Sequence, residues 1–297
     1  MYVLLGSNGN ITSKVARILL SQQQRVRVIG RSAQSLVALK EAGAEVAIGD
    51  LENTAFLTDA LRGATAIYAM IPPNYASTAF LAYQDRVGES IVAAITASGV
   101  KRVVNLSSTG AHLPKGTGPI AGLYAQEQRL NRLAGVEVLH LRPGYFFENH
   151  FNALGTIQAM GVYADMIDSH ALIPMVGTGD IAVVVARELV NPSGQGKRVL
   201  HLRAPKRYSQ ADAAAVLGAA IGKPGLQHVQ ADPAQAKAGM MQFGLSQNVA
   251  DLFEEMSAVF SSGTLNATVE AGPTEITPTT LENFAATVFA PAFRAAA

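Results

Sequence analysis

Two polar side chains at positions 124 and 128 are spaced to meet one ligand. Tyr124 and Gln128 stand four residues apart in the stretch GLYAQEQRL, and a helix places such residues on one face. A phenol becomes an acid or base near neutral pH when a neighbouring cation lowers its pKa, as the lysine does in a Tyr-x-x-x-Lys pair. Gln128 carries no charge, so it can hydrogen-bond a ligand but cannot activate a phenol in this way. The pair therefore indicates either altered chemistry or ligand binding without turnover.

Two serines lie where the predicted strand VKRVVNL ends. The hydroxyl of Ser107 or Ser108 could donate to an acceptor oxygen of a ligand held beside the strand. The alternative is that both residues only terminate the strand, and the sequence leaves the two possibilities open. Tyr124, Gln128 and Ser107 are the candidate catalytic residues.

A glycine-rich turn follows the first predicted strand. The stretch LLGSNGNIT places Gly6, Gly9 and Thr12 between the strand YVLL and a helix with apolar residues at helical spacing. A pyrophosphate needs a tight turn, a close approach of the main chain and a helix N-terminus at such a place. Since the turn begins a βαβ unit, it predicts dinucleotide binding rather than an ordinary connection, with Thr12 in place of a third glycine.

The residues after the second predicted strand indicate which dinucleotide binds. An acidic residue normally stands there to bind the ribose 2′-OH of NAD, but the sequence reads VIGRSAQS. Arg31 is a permanent cation with a planar donor fork that suits a 2′-phosphate, and Ser32 and Ser35 could add hydroxyl donors. The alternative is a solvated arginine. The sequence therefore predicts NADP(H) in preference to NAD(H).

The order of elements predicts the fold. Apolar runs alternate with helical patterns up to Gly144, which is typical of βαβ units and a parallel sheet. Residues 145–190 are predicted to be rich in loops, with a helix starting at Asp180, and the C-terminal part is predicted to be mostly helical. The stretch KRVLHLRA is predicted to return to the sheet. We expect an α/β protein, a Rossmann-type doubly wound parallel sheet with a smaller, mostly helical C-terminal lobe. The predicted division is 1–144 plus 196–203 for the NAD(P)-binding domain, and 145–195 plus 204–297 for the lobe.

Composition excludes several classes of function. The 297 residues are 49% hydrophobic and carry a formal net charge of +1, which gives no electrostatic surface for nucleic acid. Without cysteine there is no disulfide or thiolate nucleophile, and no apolar run is long enough to cross a membrane. We expect a cytoplasmic protein. No metal site is expected either, because the six histidines form no ligand pattern: His112, His140, His150, His170, His201 and His228.

Five stretches of the sequence, GSNGNIT, GRS, IGDL, VVNLSS and above all LRPGYFFEN, form a recognisable set. Together they resemble the NmrA-like family of atypical short-chain dehydrogenases/reductases over essentially the whole chain. The chain looks most like the NAD(P)H:quinone oxidoreductases and azoreductase-like proteins of that family. Many members carry a lysine on the helix of Tyr124 and Gln128, where it binds the nicotinamide ribose. This sequence departs from the pattern, and either residue could occupy the place of that lysine.

The resemblance implies a set of cofactor contacts. The residues expected at each part of the cofactor are, for the pyrophosphate, Gly6, Ser7, Asn8, Gly9, Asn10 and Ile11; for the adenosine phosphate, Arg31, Ser32 and Ser35; for the adenine, Asp50 and Leu51; for the ribose side, Ala69, Met70, Ile71 and Pro72; and for the nicotinamide, Gly144, Tyr145, Phe146 and Phe147.

Two functions follow from these observations. The first is an NADP(H)-dependent oxidoreductase that reduces quinones or similar small electrophiles, because hydride transfer to such acceptors does not require an activated tyrosine. The second is a redox sensor that binds NADP(H) without turnover and signals through a regulatory protein partner. The expected partner of the enzyme is a small-molecule electrophile, and a homodimer is left open.

Apolar side chains in the second half leave one further question. Phe146, Phe147 and Phe151 either wall a substrate pocket or pack the interface of the lobe, and the sequence leaves both possibilities open. For Met240, Met241 and Phe243 the sequence favours core packing over lining the same cleft.

Overall fold

The computed structural model describes residues 1–6 and 9–296, which form twelve strands and thirteen α-helices. The strands are β1 (Tyr2–Leu5), β2 (Val26–Gly30), β3 (Glu45–Ile48), β4 (Ala66–Ala69), β5 (Arg102–Leu106), β6 (Glu137–Pro143), β7 (Tyr145–Phe146), β8 (Tyr163–Asp165), β9 (Met175–Val176), β10 (Lys197–Arg203), β11 (His228–Gln230) and β12 (Thr274–Ile276).

The helices are α1 (Thr12–Ser21), α2 (Ala33–Glu41), α3 (Thr54–Leu61), α4 (Phe80–Ser98), α5 (Ile120–Asn131), α6 (Leu154–Met160), α7 (Thr178–Val190), α8 (Gln210–Ala220), α9 (Pro233–Gln242), α10 (Gln247–Ser261), α11 (Thr264–Ala271), α12 (Leu281–Phe284) and α13 (Ala290–Ala295). A 3-10 helix spans Phe147–Ala153, and a π-helical turn spans Ala285–Phe289.

Eight strands form one parallel sheet in the order β12-β10-β6-β5-β4-β1-β2-β3. The short runs YVLL and AIYA are buried along their whole length, as expected for central parallel strands covered on both faces. Helices α1, α2 and α7 cover one face of the sheet, and α3, α4 and α5 cover the other. The predicted Rossmann-type doubly wound fold is confirmed.

The lobe has its own apolar core, built around Phe147, Tyr163, Tyr208 and Phe289. Short strand pairs, β7 with β9 and β8 with β11, accompany its helices. The predicted domain division stays a prediction. Strand β12 comes from the range assigned to the lobe, yet it pairs with β10 as the edge of the main sheet. In the described part of the chain, no helix is long and apolar enough to cross a membrane.

Three histidines are neutral in the folded protein at physiological pH. Burial lowers the pKa of His140, His150 and His201 to about 4 in each case. The contacts of His140 suit an uncharged ring, because Nε2 lies 3.0 Å from Asn131 Oδ1 and Nδ1 lies 3.1 Å from Asn105 Nδ2. One nitrogen donates to the amide oxygen and the other accepts from the amide nitrogen.

The free energy of unfolding should therefore fall as the pH drops from about 6.5 to 4, because only the unfolded chain binds protons at these histidines in that range. His140→Gln should lose less stability between pH 7 and pH 5 than the wild type, by roughly 1–2 kcal/mol. Urea unfolding at the two pH values measures the difference, and His170→Gln, at an exposed histidine, is the control. An equal pH dependence in wild type and His140→Gln would contradict the expectation.

Candidate active site

The sheet topology creates a switch point at the carboxyl ends of its strands, the place where doubly wound sheets have a crevice. The chain proceeds to opposite sides of the sheet from β1 and from β4, which are neighbours. A doubly wound sheet binds its ligand at such a switch point. Gly6, Arg31, Asp50, Met70 and Gly144 directly or nearly follow β1, β2, β3, β4 and β6, so the fold brings these predicted site residues to one edge.

Gly6, the first glycine of the turn, packs tightly against Met70 at the end of β4. Gly6 has a φ of +104°, and a Cβ there would lie 2.6 Å from Met70 Sδ, so no larger residue suits this position. The Gly9 N–H donates to the Gly6 carbonyl at 3.1 Å. Thr12, in place of the third glycine, is buried and its hydroxyl donates to the Leu5 carbonyl at 3.0 Å. Thr12 therefore ties the helix start to β1.

The N-terminus of α1 is open at the crevice. Ile11 occupies its N-cap without a capping side-chain bond, and the first turn carries no acidic residue. Ile11 itself is buried, whereas Asn10, directly before it, is exposed. Free amides at a helix N-terminus bind phosphate well. Ser7 and Asn8, predicted to share this contact, lie outside the described residues.

Charged groups gather where the adenosine end is predicted to bind. Arg31 is exposed, and among the described residues no ion pair engages its guanidinium. Burial raises the pKa of Tyr83, on α4, while the nearby charges of Arg31 and Asp50 act on it in opposite directions. The Asp50 carboxylate accepts from the Glu52 N–H at 2.9 Å. Arg31 and Asp50 thus lie around one aromatic side chain.

The other predicted residues at this end have partners of their own. Ser32 is the N-cap of α2, as predicted, but its side chain makes no capping bond. The Ser35 hydroxyl donates to the Ser32 carbonyl at 2.8 Å, so it retains only its capacity to accept. Leu51 is buried in the core on the α3–α4 face of the sheet, so its predicted adenine contact stays a prediction.

The ends of β4 and β6 are held close to neighbouring main chain. Ala69 and Ile71 are buried in the core, and the Tyr83 hydroxyl donates to the Pro72 carbonyl at 2.9 Å. A Cβ on Gly144 would lie 2.1 Å from the Pro174 carbonyl oxygen. Gly144 is therefore required by packing, whatever contact it makes with a ligand.

The aromatic residues after Gly144 turn into the lobe or the sheet core. The half-buried Tyr145 ring lies 5.6 Å from His150 and 5.9 Å from Phe260, and Phe146 packs against the sheet core. Phe147 is 0% exposed, with its ring 5.4 Å from that of Phe284.

Phe151 lies 5.8 Å from Phe289 in a stacked arrangement. The side chains of Phe147 and Phe151 thus pack in the core of the lobe rather than at its interface, and a nicotinamide contact by Phe147 remains a prediction for its main chain.

A buried ion pair occupies the position next to the candidate catalytic residues. Glu127, on α5 between Tyr124 and Gln128, is 2% exposed and accepts two bonds from Arg142, at 2.9 and 2.6 Å. Ser107, which is 3% exposed, donates its hydroxyl to Glu127 at 2.5 Å. Within the described residues, no hydrogen bond joins Ser107 to Tyr124 or Gln128.

Tyr124 and Gln128 are half-buried on one face of α5, as their spacing predicts. Glu127 was not among the predicted site residues. A signal existed, since Glu127 falls at helical spacing with the buried Ile120 and Leu130. An acid on an apolar helix face indicates a buried partner. In the described part of the chain, no three His, Asp or Glu side chains meet as a metal site.

Comparison with known proteins places this chain in a family. The model of the NmrA-like family matches residues 2–285. The chain belongs to the NmrA-like family. A curated relative is the NAD(P)H azoreductase of Xenophilus azovorans, 26% identical over 259 residues, which are 87% of each chain.

Solved structures share the fold of this NmrA-like protein. One is an NADPH-dependent quinone oxidoreductase from Escherichia coli complexed with NADPH, with a TM-score of 0.78, 21% identity, and coverage of 97% of this chain and 100% of the other. Another is the triphenylmethane reductase of Citrobacter sp. complexed with NADP(H), with a TM-score of 0.74, 19% identity and full coverage of both chains.

One further residue of the NmrA-like protein links helix α1 to the lobe. Glu148, from the stretch LRPGYFFEN, accepts from the Thr178 N–H at 3.0 Å and from the Thr178 hydroxyl, so it caps α7. Lys14 of α1 lies 3.3 Å from the same carboxylate.

The predicted helix start at Asp180 was wrong by two residues, since Asp180 instead accepts from the Thr279 N–H and hydroxyl.

Proposed function

We propose that this NmrA-like protein uses NADPH to reduce quinones or similar small electrophiles by hydride transfer. One observation carries the proposal: two groups suited to phosphates follow neighbouring strands at the same edge of the sheet. They are the uncapped N-terminus of α1, after β1, and Arg31, after β2, which is exposed and has no ion pair among the described residues. The coarser assignment, an NAD(P)H-dependent oxidoreductase, is supported by the family and by relatives named as azoreductase and quinone oxidoreductase.

The residues at the crevice suit each part of the cofactor. The main chain from Gly9 to the start of α1 would hold the pyrophosphate, and Arg31, with Ser32, would hold the 2′-phosphate. Asp50 would accept from the adenine amino group, and the end of β4 would line the ribose. When bound beside β6, the nicotinamide supplies the hydride.

The chain itself is suited to an acceptor that needs little acid catalysis. Gln128 brings no positive charge to Tyr124, and the Ser107 hydroxyl is already donated to Glu127. A strongly electrophilic acceptor such as a quinone yields a weakly basic product that water can protonate. The protein then contributes by holding donor and acceptor face to face and limiting access of water.

The steady-state rate of NADPH oxidation with a panel of quinones tests the proposal. We expect turnover with quinones and little with simple ketones or alcohols. Tight NADPH binding without turnover on any acceptor would replace the enzyme with the redox sensor, for which the uncharged Tyr124–Gln128 pair is the supporting observation. A homodimer, a regulatory partner and a cytoplasmic location stay predictions.

Tyr124→Phe should lower quinone reduction less than tenfold, under the roughly 1.4 kcal/mol that a tenfold change represents. The reason is that nothing charged stands four residues after Tyr124 to make it an effective acid. Rates of NADPH consumption for the two proteins measure the effect, with NADPH affinity determined for each as the control. A loss of a hundredfold at unchanged affinity would show that Tyr124 is a catalytic acid.

A further inference from the structure

The lobe differs in two places from what hydrophobicity alone predicts. At its surface α9 has no buried residue, and core packing was the wrong prediction for Met241 and Phe243, which are 40% and 89% exposed, while Met240 is half-buried. In its interior, polar side chains lie among the apolar ones. The polar interior is the more informative difference, because burying polar groups is unfavourable unless they find partners.

Six residues form this polar cluster, which we call the lobe network: Tyr145, His150, Tyr163, Asp165, Gln210 and His228. The Tyr163 oxygen is its centre, 2.8 Å from His150 Nδ1 and 3.2 Å from Asp165 Oδ2. Gln210 Nε2 donates to the same carboxylate oxygen at 2.8 Å, and His228 Nε2 lies 3.2 Å from Asp165 Oδ1. Because His150, Tyr163 and Gln210 are at most 1% exposed, their hydrogen bonds are shielded from water and hold the network rigid.

Tyr145 connects the lobe network to the edge of the sheet. Its hydroxyl hydrogen-bonds with Gln210 and Tyr163. Its main chain directly follows Gly144, at the carboxyl end of β6, and its N–H donates to the Pro174 carbonyl at 2.8 Å. The residue is therefore held at both ends, with the main chain beside the sheet and the hydroxyl in the lobe.

The lobe network suits an anchor better than a source of protons. Burial raises the pKa of Tyr145 and of Tyr163 above the usual range of a phenol, and burial lowers the pKa of His150 to about 4. Near neutral pH these three side chains are uncharged and neither release nor take up a proton. They are suited to hold Tyr145 in one position rather than to protonate a substrate.

The order of the strands indicates which part of the cofactor lies near Tyr145. A dinucleotide crosses the switch point of a doubly wound sheet. Its phosphate and adenosine groups are expected at the ends of β1, β2 and β3, so the nicotinamide half is expected beyond the switch point, over β4, β5 and β6. Tyr145 stands two residues after the end of β6, on the nicotinamide side.

We propose that Tyr163 and Gln210 are positioning residues, which act through the Tyr145 hydroxyl to fix the main chain of Gly144 and Tyr145 beside the nicotinamide ring. Holding this stretch in place would fix the orientation of the ring from which the hydride leaves. This inference rests on the proposed function, because the cofactor is the molecule that the stretch would contact.

A fragment of the cofactor tests the inference without turnover. The probe is 2′-phospho-ADP-ribose, which carries the groups of NADPH except the nicotinamide. In Tyr163→Phe we expect the affinity for NADPH, measured by isothermal titration, to fall about tenfold, the scale of one lost orienting hydrogen bond, while the affinity for the fragment stays within about twofold. Gln210→Met, which keeps the length of the side chain but not its amide, should have the same effect.

The matched control is Tyr208→Phe. Tyr208 is another tyrosine of the lobe core, 0% exposed, and its hydroxyl donates to Glu282 at 2.8 Å and accepts from the Leu281 N–H at 3.1 Å. Within the described residues, no hydrogen bond joins that hydroxyl to the lobe network. Tyr208→Phe should bind NADPH and the fragment as the wild type does, and urea unfolding verifies that each variant is folded.

A double variant shows whether Tyr163 acts through Tyr145. Tyr145→Phe should lose NADPH affinity as Tyr163→Phe does, and the double variant should lose no more than either single one, because both changes release the same anchor. Losses that multiply to about a hundredfold would overturn this route. With a quinone as acceptor, kcat should fall in the single variants and the deuterium isotope effect on hydride transfer should rise, while the KM for the quinone stays unchanged.

The outcomes separate this inference from the proposed function. Equal losses for NADPH and the fragment, or a selective loss in Tyr208→Phe as well, would reduce the lobe network to a structural role and overturn the positioning. Unchanged NADPH affinity in folded Tyr163→Phe and Gln210→Met, with quinone turnover by the wild type, would overturn the positioning and leave the function standing. A selective loss of NADPH affinity without turnover on any acceptor would leave the positioning standing and overturn the reductase. Absence of NADPH binding by the wild type would overturn both.

Discussion

Gly9→Val is expected to abolish NADPH binding while the protein remains folded. The glycine turn leads into the N-terminus of α1, whose amides are predicted to bind the pyrophosphate. A branched side chain at Gly9 would block the approach of the pyrophosphate to these amides. The fold should tolerate the change after a shift of a few tenths of an ångström, because among the described residues the closest approach of a Cβ at Gly9 is 3.3 Å, to the Gly6 carbonyl oxygen, with Thr12 Oγ1 at 4.0 Å. Gly6 is a poorer probe, since its φ of +104° and its contact with Met70 would disturb the turn itself.

Isothermal titration with NADPH measures the loss, and circular dichroism with urea unfolding verifies the fold. Gly155→Val, on α6, is the matched control, because a Cβ at that position meets no atom within 4 Å. It should bind NADPH as the wild type does. Normal NADPH affinity in a folded Gly9→Val protein would mean that the glycine turn has only a structural role.

Arg31→Ala is expected to weaken NADPH binding by roughly 1.5–3 kcal/mol, the scale of a hydrogen bond to a charged group, and to leave NADH binding nearly unchanged. Arg31 is exposed at the crevice, and among the described residues it has no ion pair that the substitution would break. The effect should therefore come from the 2′-phosphate alone, which NADH lacks.

Parallel titrations with NADPH and NADH measure this difference. Arg62→Ala is the control. Arg62 is also an exposed arginine, but it lies at the C-terminal end of α3 and not after a strand at the crevice. Its affinity for both cofactors should match the wild type. Equal affinity of the wild-type protein for NADPH and NADH would contradict the assignment of Arg31.

The sheet and the crevice were predictable because their signals are local. A buried strand such as YVLL, the glycines directly after it and Arg31 after the next strand are each visible within a few residues. Short strands such as β12 were missed, since three residues are too few to show a period of two. It is the parallel pairing with β10 that makes those residues a strand.

Other features depend on contacts that the sequence does not display. Glu127 can be buried because Arg142, on β6, and Ser107, at the end of β5, both donate hydrogen bonds to its carboxylate. The sequence does not show that these three residues meet. The Gly144 requirement likewise comes from the Pro174 carbonyl, thirty residues later. The exposure of α9 was missed because methionine and phenylalanine favour the core, and only tertiary packing shows that no layer covers them.

The path of the chain through the lobe has a consequence for protein engineering. After β10, the chain builds α8 to α11 and then returns to the sheet as β12, before the last helices complete the lobe. A C-terminal truncation at residue 204 would therefore remove an edge strand together with the C-terminal part of the lobe and expose the unpaired side of β10. Chimeras that exchange this region with another member of the family should replace residues 204–272 as an internal cassette and keep the β12 segment of the host.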